Sequence, residues 1–348
     1  MEKNGDSSPT IMDVAKGAQV SPATVSRVIN GSAVVKDSTR EKVMKTIEEL
    51  HFSPNSFARG LMNKKSNIVG IIVPRMRNPY YSELISGIES ALHDNGYSML
   101  LCVTNGDEDK LVYHLKALVE YQVEGIVIIH SKCKDQELLD VISRKTCVIT
   151  IQSKIPGCDS VSSEEETGIY MAINHLLSLG HRKIAYICFQ RSNDEEKKIS
   201  GFVKAFQKYG LACPDELILV YKDIDKTEDE LALDAGYLLT KRLLESDNPP
   251  TAIQTTNDFY AIGAYHAIME KGLKIPQDIS VCGFDNIEIA KILNPPLTTV
   301  EQFADEKGKT CGELLIQRIT GNRNFIHRDI ILPTSLITRS STAPPKKD

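Results

Sequence analysis

The sequence contains no tryptophan, and aromatic residues make up only 6% of it, so no indole platform is available to stack a sugar or a base. Long hydrophobic runs are missing as well. The longest, such as "NIVGIIVP", are strand-length and fall well short of the ~20 apolar residues a membrane helix needs. The opening "MEKNGDSSPT" has no apolar core, and no secretory signal is expected. Eight cysteines lie singly between Cys102 and Cys311, without a CxxC pair or a Cys/His spacing that suits zinc. They read as reduced, buried thiols of a cytoplasmic protein rather than a disulfide framework. The phosphate-cradling GxxxxGK[ST], a GxGxxG after a strand, HExxH and GxSxG are all absent, and the eight histidines sit in no nucleophile or metal motif. The expectation is therefore a protein that is not an enzyme and carries no cofactor and no metal.

What is present is uneven. The 348 residues have a net charge of −5, but residues 1–66 hold ten Lys/Arg against seven Asp/Glu, and the rest hold 31 against 39. A small basic head on an acidic body points to a head that meets an anionic polymer. In the head, Ile11, Val14, Ala15 and Ala18 recur at helical spacing, behind Thr10 as N-cap and Asp13 three residues on. After "GAQV", Ser21 caps a second helix, with Pro22 at its first position, where a missing N–H costs nothing. Val25, Val28 and Ile29 face one way; Pro22, Ala23, Ser26, Arg27 and Asn30 face the other. Ser38 and Glu41 read as the capping box of a third helix with Val43, Ile47 and Leu50 on its inner face. Two short helices about a tight turn, buttressed by a third, make a helix-turn-helix, whose second helix enters the DNA major groove. The outward face of that helix is short-chained. Its hydroxyls can bond phosphates, Arg27 can clasp a guanine, and Ala23 can touch a thymine methyl. Composition alone also allows a small helical cap with a solvated polar face.

The stretch "TIMDVAKGAQVSPATVSRVINGSAVVKDSTREKVMKTIEELHFSPNSFARGL", residues 10–61, is similar to the N-terminal signature of the lactose/galactose repressor family of bacterial transcription regulators, and the resemblance extends over nearly the whole chain. It departs at Gln19, where the family usually has Gly, and at Phe52, where it usually has Tyr. The resemblance implies a hinge over residues 53–66, helical when paired with its dimer mate in the minor groove, with Leu61 wedged between base pairs; an ordinary linker is the alternative. The DNA-contact candidates are then Thr10, Ser21, Pro22, Ala23, Thr24, Ser26, Arg27 and Asn30 in the head and Asn55 and Leu61 in the hinge.

From Asn67 onward, short apolar strands alternate with amphipathic helices in two successive runs. This is the pattern of two α/β lobes, each a doubly wound parallel sheet covered by helices. The body resembles the periplasmic binding-protein fold, with three crossovers expected near Ser163, Asn294 and Phe325. The domains read as 1–52 for the head, 53–66 for the hinge and 67–348 for the body. Within the body the first lobe takes about 67–163 and 295–325, and the second about 164–294 and 326–348. Ligands of open α/β sheets bind at the carboxyl ends of the strands, here between the lobes.

By the same resemblance, the effector-contact candidates are Tyr80 and Tyr81 in "NPYYSEL", Lys198 in "KKISGF", Asn257 in "TTNDFYAIG", Asp285 in "CGFDN" and Gln302 in "TTVEQ". Asp258 reads equally as a helix cap. Lys198 stands where many relatives carry Arg, which replaces a planar fork by a point charge. Together with Arg75 and Arg77 this leaves two effector classes open, a sugar or an anionic sugar. The "SSEEET" segment reads as the first turn of a helix, where the dipole favours carboxylates. The expected partners are a pseudo-palindromic operator in double-stranded DNA, a small-molecule effector and a second copy of the chain as homodimer, with no membrane. A protein corepressor, and a sugar-binding module with an incidental helical head, are the rival readings.

Overall fold

The computed structural model describes residues 9–29, 34–52, 66–130, 135–143, 146–189, 193–213, 215–221, 232–321 and 326–346. The chain divides into two compact units, Met1–Asn67 and Ile68–Asp348.

Among its described residues the first unit has three helices, α1 (Ile11–Ala18), α2 (Pro22–Ile29) and α3 (Asp37–Glu49), around a small core of Val14, Ala15, Ala18, Val25, Val28 and Val43, with Ile47, Leu50 and Phe52 packed against it. The expected capping box opens α1: Asp13 accepts from the Thr10 backbone N–H at 2.8 Å and hydroxyl at 2.7 Å, while the Asp13 N–H donates back to Thr10 Oγ1 at 3.4 Å. The capping box expected at Ser38 does not form. The helix begins at Asp37 with Lys36 at the N-cap and no side-chain cap. Ser38 thus lies inside the first turn, where its hydroxyl cannot reach the free N–H groups ahead of it.

Gln19 closes α1 in the left-handed region, with φ 52°. That conformation crowds any Cβ and costs a non-glycine residue about 1 kcal/mol. Gln19 Oε1 accepts from Lys42 Nζ at 3.3 Å, but the pair is exposed and recovers little. Gln19→Gly is therefore expected to stabilise the head by about 1 kcal/mol. Hydrogen exchange of the α1 core amides in the full chain should slow by roughly fivefold; unchanged or faster exchange would show the Lys42 contact to outweigh the strain.

The second unit is built on two six-stranded sheets. The first contains β1 (Ile68–Val73), β2 (Ser98–Val103), β3 (Gly125–Ile129), β4 (Cys147–Ile151), β5 (Asp159–Ser163) and β11 (Asp329–Leu332). The second contains β6 (Ile184–Cys188), β7 (Ile218–Val220), β8 (Ala252–Thr255), β9 (Ser280–Asp285), β10 (Thr298–Glu301) and β12 (Ser335–Ile337). Their orders are β11-β5-β4-β3-β1-β2 and β12-β10-β9-β8-β6-β7. All pairs are parallel except β10 with β12. The covering helices are α4 (Pro79–Asp94), α5 (Glu108–Glu120), α6 (Gln136–Ser143), α7 (Glu165–Ser178), α8 (Asn193–Lys208), α9 (Ala232–Leu244), α10 (Asp258–Glu270), α11 (Glu288–Ile292) and α12 (Ala304–Thr320).

The first crossover lies at Ser163, as the sequence suggests. The other two lie further along than Asn294 and Phe325. β10 hydrogen-bonds β9, so residues 295–301 still belong to the second lobe, and the chain returns to the first lobe only at 302–303. β11 pairs with β5 in the first sheet, so the last crossover falls at 333–334. β10 hides from a hydrophobic reading because it is "TTVE". Its Thr298 and Thr299 are buried with their hydroxyls bonded to Thr342 and Asp258.

Three helix pairs pack backbone to backbone, α9 with α10 through Gly236 and Gly263 and two others that position the candidate site residues. A Cβ at Gly87 of α4 would stand 2.1 Å from Asp305 O, and one at Gly308 of α12 would stand 2.1 Å from Leu84 O; only glycine permits this approach. In the second lobe, a Cβ at Gly201 of α8 would stand 2.1 Å from Glu166 O on α7. The pairing of α4 with α12 sets α12 beside Tyr80. That of α7 with α8 sets Lys198 beside Glu165.

Candidate functional site: a reading face on the head and a cleft in the body

On the head, Ser21 caps α2, with its Oγ 3.2 Å from the Thr24 N–H and 2.9 Å from Thr24 Oγ1. Val25 and Val28 are buried, which forces the opposite face outward. Ser21, Pro22, Ala23 and Arg27 are exposed, and Thr24 and Ser26 are half-buried. These residues share the face of the helix opposite Val25 and Val28. Thr10 lies at the start of α1, its hydroxyl engaged by Asp13. Asn30, Asn55 and Leu61 lie outside the described residues.

In the body, a polar network at the carboxyl ends of the strands joins the two lobes. Asp285 ends β9 in a strained backbone, φ 114°, followed by Asn286 at 57°, a conformation held only where the surroundings over-determine it. Gln302 Nε2 donates to Asp285 Oδ1 at 2.6 Å, and Asn78 Nδ2 approaches Oδ2 at 3.5 Å. Asn78 also caps α4, accepting from the Tyr80 N–H at 3.0 Å. Gln302 Oε1 accepts from Lys307 Nζ at 3.2 Å, and that ammonium donates to the Tyr80 hydroxyl at 2.8 Å. Tyr80, Gln302 and Asp285 are thus brought together, as expected. Tyr81 joins them at one remove: it packs edge-on to Tyr80, and its hydroxyl shares a hydrogen bond of 3.0 Å with His130 Nδ1.

Lys198 faces the same space. Its Nζ lies 3.6 Å from Glu165 Oε1, donates to Thr256 O at 3.1 Å, and sits 4.4 Å from the centre of the Phe284 ring. Asn257 is engaged as the N-cap of α10, accepting from the Tyr260 N–H at 3.1 Å. Asp258 is a structural strut, not a cleft residue. It is buried, accepting from Thr299 Oγ1 at 2.6 Å and from the Ile287 N–H at 2.9 Å.

Sequence reading did not single out Lys307, His130, Asn78, Glu165 or Glu195. Glu165 does open a helix, as "SSEEET" suggested, but its side chain is buried against Lys198. Glu195 accepts from the hydroxyls of Tyr186 and, at 2.9 Å, Thr256. A wholly buried lysine on a helix that reads as amphipathic has no sequence signal beyond its own letter. Gln152, after β4, accepts from the Ser163 N–H at 2.8 Å. Its Nε2 and the Ser163 hydroxyl are buried without a partner, at the carboxyl ends of β4 and β5. Buried polar atoms of this kind are expected to be satisfied by water or ligand.

Burial dominates the electrostatics. It pushes the Asp285 carboxyl up to about 6, against the pull of Lys198, Gln302, Asn78 and Lys307. It lowers Lys307 to about 8, which Glu165 and Asp285 resist, and it lowers His130 to about 3, with Lys198 and Lys307 adding to the effect. Near neutral pH, Asp285 and Lys307 are charged and His130 is not. Asp285 binds its proton more tightly folded than unfolded, where its ordinary value is 3.8. Its contribution to stability is therefore fully present below about 4, is lost as pH rises through about 6, and is constant above. The stability of the wild type minus that of Asp285→Asn should fall across that window and be flat above pH ~7. A flat difference throughout would show the carboxyl to be unperturbed.

No described helix is long and apolar enough to cross a membrane, and no group of His, Cys, Asp and Glu among the described residues could hold a metal ion. No disulfide joins the seven described cysteines to one another. The chain matches the family model "Bacterial regulatory proteins, lacI family" over residues 10–55 and the "Periplasmic binding protein-like domain" model over residues 173–342. It is 34% identical over 334 residues to the ribose operon repressor of Haemophilus influenzae, covering 95% of this chain and 98% of that one. Among solved structures it is similar to a LacI family transcriptional regulator from Enterococcus faecium with bound ribose, at 32% identity and a TM-score of 0.70, covering 80% of this chain and 100% of that one. It is also similar to the lac repressor dimer bound to operator and an anti-inducer, at 26% identity and a TM-score of 0.81, covering 97% of this chain and 100% of that one. With a helix-turn-helix presenting Ser21–Arg27, a two-lobed α/β body following it in the chain and relatives matched along almost their full length, the chain belongs to the lacI family of bacterial regulatory proteins and is a DNA-binding transcriptional regulator, not an enzyme.

Proposed function

We propose that this regulator is a cytoplasmic repressor that binds a pseudo-palindromic operator as a homodimer, and that a sugar held between its lobes controls that binding. The observation that carries the effector half is the network Tyr80–Lys307–Gln302–Asp285–Asn78, because it joins side chains of both lobes at the carboxyl ends of their strands. The effector contacts are Tyr80, Tyr81, Lys198, Asn257, Asp285 and Gln302. The two ammoniums of this region face three carboxylates, Glu165, Asp285 and Glu301. That balance favours a neutral polyhydroxyl ligand over an anionic sugar, and the ribose seen in the Enterococcus faecium relative makes D-ribose the first compound to try. The DNA contacts are Thr10, Ser21, Pro22, Ala23, Thr24, Ser26, Arg27 and Asn30, with Asn55 and Leu61 in the hinge. The purified chain should retard duplex DNA and release it as salt rises, since phosphate contacts displace counterions. A sugar-binding module would leave the duplex unretarded.

The hinge gives a separate expectation. Leu61→Ala should weaken operator binding and reduce the DNA bend read by gel mobility, because a wedging side chain exchanges unstacking for wider protein contact. Affinity and bending equal to wild type would make Leu61 part of an ordinary linker.

A further inference from the structure

We propose that Lys307 is a positioning residue of the effector site, whose ammonium fixes the orientation of Gln302 and thereby holds Asp285 for ligand from the opposite lobe. This rests on the effector reading above and deepens it. Lys307 is fully buried on α12, between Ala304, Gly308 and Cys311, which are buried too. An ammonium removed from water is costly unless it is hydrogen-bonded. Here it donates to Tyr80 Oη at 2.8 Å and to Gln302 Oε1 at 3.2 Å, with the Tyr80 ring centre 5.2 Å away.

The consequence lies in the amide. An ammonium has donors and no acceptor, so only the carbonyl end of Gln302 can face it. The NH2 end is then turned onto Asp285, where the bond is 2.6 Å. Without the ammonium the amide is held at its NH2 end alone, so Gln302 can swing away and the one close donor to Asp285 within the network is no longer fixed. Lys307 and Tyr80 belong to the first lobe and Asp285 to the second, so the relay also sets the lobes against each other. The other groups facing Asp285 are Lys198 on α8, Asn78 ahead of α4 and Asp258 on α10. Glu165 on α7 and Glu301 on β10 face the ammonium, and His130 after β3 faces both lysines.

The test uses the full chain with Lys307→Met and, because a buried substitution can disturb folding, also Lys307→Gln, which keeps a donor but no charge. The first readout needs no effector. The pH window in which Asp285→Asn alters stability is compared with and without each Lys307 substitution. The proposal expects its midpoint to move up from about 6 by roughly one unit in both variants; an unmoved midpoint overturns it, as does failure of both variants to fold, which would make Lys307 a core strut. The second readout is operator affinity with D-ribose as probe, where both variants should need roughly tenfold more D-ribose for the half-maximal response, and an unchanged requirement contradicts the proposal. A wild type indifferent to D-ribose would count against the sugar reading alone, and the pH midpoint would still decide the role of Lys307.

Discussion

Asp285→Ala is expected to erase the control that a cleft ligand exerts on DNA binding. A ligand shifts the balance between two lobe arrangements only through its different affinity for each. Asp285 is the side chain best placed to supply that difference. It ends β9 of the second lobe, its carboxylate accepts from Gln302 at the crossover, and Asn78 of the first lobe approaches its other oxygen. Its backbone is strained at φ 114°, which a residue kept only for packing has no reason to maintain. Removing the carboxylate removes the acceptor that Gln302 and Asn78 share and, on the proposed reading, the acceptor for ligand hydroxyls. The measurement is operator titration with and without D-ribose at one fixed salt concentration, because phosphate contacts make affinity steeply salt-dependent. The ratio of the two affinities should collapse to one in the variant, whichever way it departs from one in the wild type. A wild-type ratio retained by Asp285→Ala would make the residue structural.

The second large effect is expected at the head. Arg27→Ala should cost roughly 1–3 kcal/mol on the specific operator, the worth of one bidentate contact to a guanine, and should change binding to random duplex little. Arg27 is exposed on the face of α2 opposite Val25 and Val28, and within Ser21–Ile29 it is the only charged side chain. An equal loss on random duplex would show the guanidinium to be a phosphate contact, which positions the protein without reading sequence.

The head was legible because its signals are local. Thr10 with Asp13, Ser21 with Pro22, and the spacing of Val25 and Val28 each place a helix end or a helix face without reference to the rest of the chain. The lobes were legible where strands are apolar runs, as in "NIVGIIVP". They were misjudged at the crossovers because β10 is the short segment "TTVE", and its two threonine hydroxyls are satisfied by partners distant in sequence, among them Asp258 and Thr342. The cleft shows the same limit. Tyr80, Asp285 and Gln302 were identifiable by resemblance, and they do meet. Lys307 was not, because a lysine in a helix reads as solvated, and only the close approach of α4 and α12 at Gly87 and Gly308 buries it beside Tyr80. Asp258 shows the complementary limit: the sequence leaves it equally a helix cap or a ligand contact, and only Thr299 and the Ile287 N–H, distant in sequence, account for both its oxygens.

The central claim is that the face Ser21–Arg27 reads a two-fold symmetric DNA sequence. It is tested most directly by incubating the full chain with a pool of random duplexes at a fixed salt concentration, recovering the bound fraction over successive rounds, and sequencing it. The account predicts enrichment of one pseudo-palindromic sequence, its two half-sites related by the dyad of a dimer, with Arg27→Ala relaxing the preference at one position in each half-site. Recovery of duplexes without a shared sequence, or of a shared sequence lacking two-fold symmetry, would contradict it.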